Sequence, residues 1–243
     1  MSLFNKLTSD GLEESQDRLG GFSPFDSDIY IGTIKVAYAG TSQGGATSVS
    51  LVVDADGKEY RETFYVTNRK GENFFISQDK KKVPLPGFTV VDDICLIASG
   101  KPLANQETEE KVIKLYDFEQ RAEVPKSVPV LTDLIGQKIA LGILKQLENK
   151  NAKNAAGEYE ATEETREVNV VDKVFHPEMK LTVAEARNGK EDPEFWDKWV
   201  EKNKGTVRDK TEKKAGGNAG APPKPAAAGG TAAPRQSLFG KKP

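Results

Sequence analysis

Residues 59–82 read EYRETFYVTNRKGENFFISQDKKK. Two stretches rich in aromatic and β-branched residues flank Asn68-Arg-Lys-Gly71, which predicts a β-hairpin. Side chains of a strand alternate between its two faces. On the first arm Tyr60, Phe64 and Val66 share one face, and Arg61, Thr63, Tyr65, Thr67 and, at the turn, Arg69 share the other. On the second arm Phe74 and Ile76 join the apolar set, which leaves Phe75 beside Asn73 and Ser77 on the polar face. Arg61, Arg69, Lys70, Lys80, Lys81 and Lys82 add positive charge, offset by Glu62, Glu72 and Asp79. Two rings among cations, Tyr65 and Phe75, are what single-stranded nucleic acid requires: rings stack on bases and cations follow phosphates. Aromatics in strands also serve as ordinary packing, under a helix or against another chain.

The same alternation extends outward from this stretch. Tyr30, Ile34, Val36 and Tyr38 alternate with Ile31, Thr33, Lys35 and Ala37. After a Gly/Ser/Gln loop at 40–46, Val49, Leu51 and Val53 form a second set, ending at the turn Asp54-Ala-Asp-Gly57. Several short antiparallel strands joined by tight turns suggest a small barrel or sandwich. Val90–Ala98 fits a helix or a buried strand. A helix is favoured, because Asp92 and Asp93 would interrupt a buried strand and Gly100 suits a C-cap. Further on, 111–116 reads as a strand and Pro125 and Pro129 bracket a loop. Residues 131–135 read as a helical turn, 137–147 as a strand, 149–165 as a loop or hairpin tip and 168–175 as a last strand. Asp192–Lys202 reads as a short helix whose Trp196 and Trp199 pack on the sheet.

Composition narrows the function classes. The chain has 243 residues, 30% charged and 37% hydrophobic, with a single cysteine, Cys95. One cysteine allows no internal disulfide, so a reducing, cytoplasmic setting is expected. No run approaches the roughly 18 apolar residues of a membrane span, and the opening apolar run is too short for a secretory signal. Residues 201–243 hold ten Lys or Arg against three Asp or Glu, a net of +7, which leaves −9 on residues 1–200 of the total −2. An acidic body with a basic tail points to a polyanion or an acidic surface as the tail's partner. The segment 215–234, rich in Ala, Gly and Pro, has too little apolar mass to fold. At its end, Leu238 and Phe239, flanked by Lys241 and Lys242, have the make-up of a docking peptide on a tether.

Catalysis is poorly supplied. His176 is the single histidine, Cys95 lies in an apolar run, and no phosphate loop, HExxH, Gly-x-Ser-x-Gly or Cys-x-x-Cys occurs. In the pairs Asp92-Asp93, Glu109-Glu110 and Glu163-Glu164 adjacent carboxylates on a helix or strand face apart, which reads as solvated charge. No enzyme activity, cofactor, metal or small-molecule substrate is expected.

The chain resembles the single-stranded DNA-binding proteins of lytic podophages. MSLFNKL…DRLGG, KEYRETFYVTNRKGENFF, VIKLYDF, ILKQLENKNAKN, TREVNVVDKVF and SLFGKK carry the likeness, which covers most of residues 1–205 and the last few. The resemblance implies an OB-fold, a five-stranded barrel with a helix between strands, whose groove holds single strands. The basic tail departs from the acidic tail that many such proteins carry, which points to direct DNA contact over competition with DNA.

The expectation is therefore a mainly β chain with a few helices: an N-terminal arm at 1–28, an OB-like antiparallel barrel with insertions at 29–205, and a flexible basic tail at 206–243. Its expected role is to coat single-stranded DNA in phage replication, repair or recombination. Lys35, Arg61, Arg69, Lys70, Lys80, Lys81 and Lys82 would meet phosphates, and Tyr65 and Phe75 would meet bases. The alternative is an adaptor that recruits a replication or transcription partner, such as a polymerase, through Leu238, Phe239, Lys241 and Lys242. A virion structural protein ranks third.

Overall fold

Asp28–Thr41 (β1), Thr47–Ala55 (β2) and Lys58–Tyr65 (β3) form an antiparallel meander. Its apolar parity points inward: Ile34, Ala37, Val49, Leu51, Val53, Tyr60 and Phe64 are all buried. The computed structural model describes residues 24–211, except 56, 118–119, 154–156 and 158 and the side chain of 117. Phe74–Ile76 (β4) and Lys82–Pro84 (β5) follow, then the helix Pro86–Ser99 (α1). Next come Glu109–Asp117 (β6), Ala122–Val130 (β7), Lys138–Lys153 (β8) and Tyr159–Phe175 (β9). Val183–Arg187 (α2), Glu194–Asn203 (α3) and Val207–Asp209 (β10) complete the described chain.

The protein is mainly β, and apart from the short parallel pair of β10 with β8 its ladders are antiparallel. The main sheet runs β3-β2-β1-β8-β9, with α1 between β3 and β8 in sequence. This is an OB-like order of five strands and a helix, in its partly open form. The ladder does not close, because β3 and β9 share no main-chain pairing among the described residues. Side chains span the gap instead. The Glu62 carboxylate, on the buried parity of β3, accepts the Val171 amide of β9 at 3.0 Å and the Tyr60 hydroxyl. Beside them the side-chain amide of Asn169 accepts from Phe25 N–H and donates to Phe25 C=O, both at 2.7 Å, as a neighbouring strand would. Phe25 is thereby buried against Tyr60. The end of the expected N-terminal arm is thus part of the core; residues 1–23 lie outside the described ones.

Helix α1 starts at Pro86, whose fixed φ suits the first helical position, and stops at Gly100, left-handed at φ 73° with its amide on Leu96 O. Its apolar face, Val91, Ile94, Cys95 and Leu96, is fully buried and packs against both β3 and β9, under the open seam. On the opposite face of the sheet Trp199 of α3 packs with Phe175, Ala140 and Leu144. Here a Cβ on Gly142 would come within 3.1 Å of the Trp199 ring.

Five expectations need correction. Residues 59–82 are not one hairpin: β3 pairs with β2, and β4 pairs with β5 in a separate two-stranded sheet. Ile76, expected on the apolar face, is exposed. Pro125 and Pro129 lie inside β7, opposite Lys114 and Glu110. Both prolines occupy ladder positions whose nitrogen faces away from β6, so they break no bond. Most of 149–165 is ladder too, since β8 and β9 pair out to Lys153 and Tyr159. β10, hydrogen-bonded alongside Lys145–Leu147, carries the sheet past the expected boundary at 205. The docking tip, Leu238, Phe239, Lys241 and Lys242, lies outside the described residues.

Candidate nucleic-acid interface

The outward parity of the meander makes a polar face at β2 and β3 that no helix of the described residues covers. Register sets Tyr38 of β1 beside Ser50 of β2, and Ser50 beside Thr63 of β3, with Ser50 Oγ and Thr63 Oγ1 2.8 Å apart. Along β3 the same parity carries Arg61 opposite Val52 and Tyr65 opposite Ser48. Tyr65 is 55% exposed while its neighbour Phe64 is 6% exposed, so alternation assigned both correctly. The backbone beneath Tyr65 is fixed from behind. Gly87 packs so closely that a Cβ there would lie 2.5 Å from Tyr65 O, which only glycine permits.

The chain then turns at Asn68–Glu72. The Asn68 side chain accepts the amides of Lys70 and Glu72 at 2.8 and 3.0 Å, and Gly71 takes φ 79°. Arg69 and Lys70 stand on this turn, and the Arg69 side chain lies along Gly44 of the β1–β2 loop. Phe75 (46% exposed) and the lysines sit on the β4–β5 hairpin. Its tip is closed by Ser77: Ser77 N–H donates to Lys81 O, Lys80 N–H to Ser77 O, and Lys81 N–H to Ser77 Oγ. Lys82 returns over the Phe74 ring, 4.4 Å from its centroid.

The structure therefore joins Arg61 and Tyr65 on one strand face, with Arg69 and Lys70 on the turn that follows. Phe75 and Lys80–Lys82 stand on a second element, so the two rings do not share one sheet surface. Lys35 lies in the β1 bulge between Ile34 and Val36, two strands from Arg61, and pairs with Asp54 at 3.4 Å. Arg61 pairs with Glu59 at 2.6 Å. Both are exposed pairs worth about 0–1 kcal/mol, weak enough for a phosphate to replace the carboxylate. Arg69, Lys70, Lys80 and Lys81 form no ion pair among the described residues.

Two features escaped the sequence reading. Glu62 counted there only as an offsetting charge, although its place between Tyr60 and Phe64 on the buried parity marks it as a seam residue. Burial pushes its carboxyl above the usual carboxylate range, against the lowering effect of the Tyr60 and Val171 donors. Tyr159, 70% exposed near the end of the β8–β9 hairpin, lies with its ring 5.5 Å from Lys153 Nζ and adds an exposed ring–cation pair. The groups with nucleophilic potential sit elsewhere. Cys95 is buried in α1, which pushes its thiol up. Burial lowers the pKa of His176, whose Nδ1 accepts the Met179 amide at 3.1 Å. Among the described residues no three His, Cys, Asp or Glu side chains are placed to hold a metal ion. No helix of the described residues is long and apolar enough to cross a membrane.

A scan against protein-family models finds no match for this chain, and a search of curated proteins finds none.

Proposed function

We propose that this chain binds and covers single-stranded DNA without catalysing a reaction on it, in phage DNA replication, repair or recombination. One observation carries the reading: two exposed rings, Tyr65 and Phe75, stand on braced backbone, and Arg69, Lys70, Lys80 and Lys81, which form no ion pair among the described residues, lie beside them in the chain. Stacking on such rings tolerates any base, and mobile lysines follow a backbone without fixing its sequence. The OB-like order supports the reading further, since nucleic acid lies across strands 2 and 3 and the adjoining loops in many such barrels. In this reading Arg61 and Lys35 exchange their carboxylate partners for phosphates, and Ser50 and Thr63 offer hydroxyls between the charged positions.

Ultraviolet cross-linking of the full-length protein to oligo-dT, followed by peptide mapping, tests the placement. Adducts on Tyr65 or Phe75 are expected. Efficient cross-linking confined to peptides outside residues 35–82 would reject this face.

A further inference from the structure

The β6–β7 ribbon stands out from the body. It joins the main sheet at one register point, Tyr38 beside Val130, and otherwise its two strands pair only with each other among the described residues. A lone two-stranded ribbon is marginal in water. Its two edges are built differently. Pro125 and Pro129 remove amide donors from the edge of β7 that faces away from β6 and meets β1 at its Val130 end; proline is a common way to blunt an edge against pairing. The register that makes those prolines harmless also fixes the other edge. Glu110 and Lys114, opposite the prolines, direct their N–H and C=O away from β7, and so by the two-residue period does Val112. That edge has no proline, and on one face it carries Val112, 70% exposed, and Tyr116, 50% exposed.

We propose that the β6 edge is the interface of a homodimer, in which β6 pairs antiparallel with β6 of a second copy about a two-fold axis at Val112. The charge pattern selects the second copy as occupant. In this register Val112 faces Val112, and each Glu110 faces the other copy's Lys114, once on either side of the axis. Each of these pairs lies at a position whose main-chain groups point across the new edge, so each exchanges two hydrogen bonds. A two-fold interface must be self-complementary, and the spacing Glu-x-Val-x-Lys over 110–114 satisfies that with its own residues. The Glu110 carboxylate lies on the same face and accepts from Ser127 Oγ of β7 at 2.9 Å, a neutral, exposed donor that the other copy's Lys114 would replace with a charged one. The product is a four-stranded ladder in place of two marginal ribbons. This inference is independent of DNA binding.

A charge exchange in the full chain tests it, by sedimentation velocity without DNA at micromolar protein. Wild type should sediment as a dimer. Glu110→Lys alone sets lysine against lysine, and Lys114→Glu alone sets glutamate against glutamate, so each variant should be monomeric. Mixed one to one, they should form a dimer containing one copy of each. Oxidised Val112→Cys should yield a covalent dimer, because Cα atoms of such a pair lie about 5.5 Å apart, within the disulfide range. Tyr116→Cys, opposite residue 108 in this register, should not. A monomeric wild type, single variants that associate as wild type does, or a mixture that stays monomeric would each overturn the proposal.

Discussion

Replacing Tyr65 by Ala removes a ring that is 55% exposed from a strand whose inward neighbour Phe64 is 6% exposed. The two positions differ in one structural respect, the face of β3 on which they lie. Stacking of a base on an aromatic ring contributes about 1–3 kcal/mol, and each 1.4 kcal/mol is tenfold in affinity. Tyr65→Ala should therefore weaken oligo-dT binding by about 5- to 150-fold. Its effect on folding should be small. Truncating a buried aromatic costs about 3–5 kcal/mol, and with less than half of its surface packed Tyr65 should cost no more than about 2 kcal/mol. Phe64→Ala gives the converse: a loss of about 3–5 kcal/mol in stability and near-normal affinity for the protein that remains folded. Fluorescence titration with oligo-dT and urea unfolding of both variants supply the four numbers. If Tyr65→Ala costs more stability than Phe64→Ala while its folded fraction binds as tightly as wild type, the face assignment is inverted and the stacking argument fails.

Neutralising Lys80, Lys81 and Lys82 together should reduce the slope of log affinity against log salt by about 2, at roughly 0.7 per single-strand phosphate contact; an unchanged slope removes the β4–β5 tip from the site. Glu62 has its carboxyl raised by burial, so the folded state holds this proton more tightly than the unfolded chain, whose glutamate titrates near pH ~4.3. The stability this group adds is complete below that pH and declines as pH rises through the folded value. Relative to Glu62→Gln, wild type should gain stability as pH falls from neutral toward the unfolded value of about 4.3, as measured by urea unfolding at each pH; a difference that is flat with pH would contradict the buried seam. Gly142→Ala places a methyl 3.1 Å from Trp199 and 3.3 Å from Phe175, an overpacking that should cost about 1–3 kcal/mol. An unshifted melting curve would mean that α3 is not seated on β8.

Alternation was the reliable signal in this sequence, and it reported faces rather than partners. Over Lys58–Tyr65 the period of two separated Tyr60 and Phe64 from Arg61 and Tyr65, because one face is buried and the other is not. The same pattern carries no information on which strand lies alongside. β3 took β2 as its neighbour, and the second arm of the expected hairpin folded back on Lys82–Pro84. Prolines 125 and 129 read as loop residues because a missing amide usually breaks a ladder; here both face away from β6, Pro129 beside the point at which β7 meets β1. The polar run 149–165 gave no apolar periodicity, since both faces of that ribbon are in water, yet the long pairing of β8 with β9 holds it as strand. Helix α1 was legible from Gly100 and the apolar run before it. The seam between β3 and β9 was not, because it depends on Glu62 meeting Val171, 109 positions away in the chain.

The measurement that bears most directly on the central claim is an equilibrium titration of the full-length protein with oligo-dT and with a duplex of equal length, each at two salt concentrations. Binding to the single strand should weaken steeply as salt rises, since several Lys and Arg side chains replace counterions. Binding to the duplex, whose stacked bases cannot reach Tyr65 and Phe75, should be much weaker. Equal affinity for the two forms, or single-strand binding indifferent to salt, would contradict that claim.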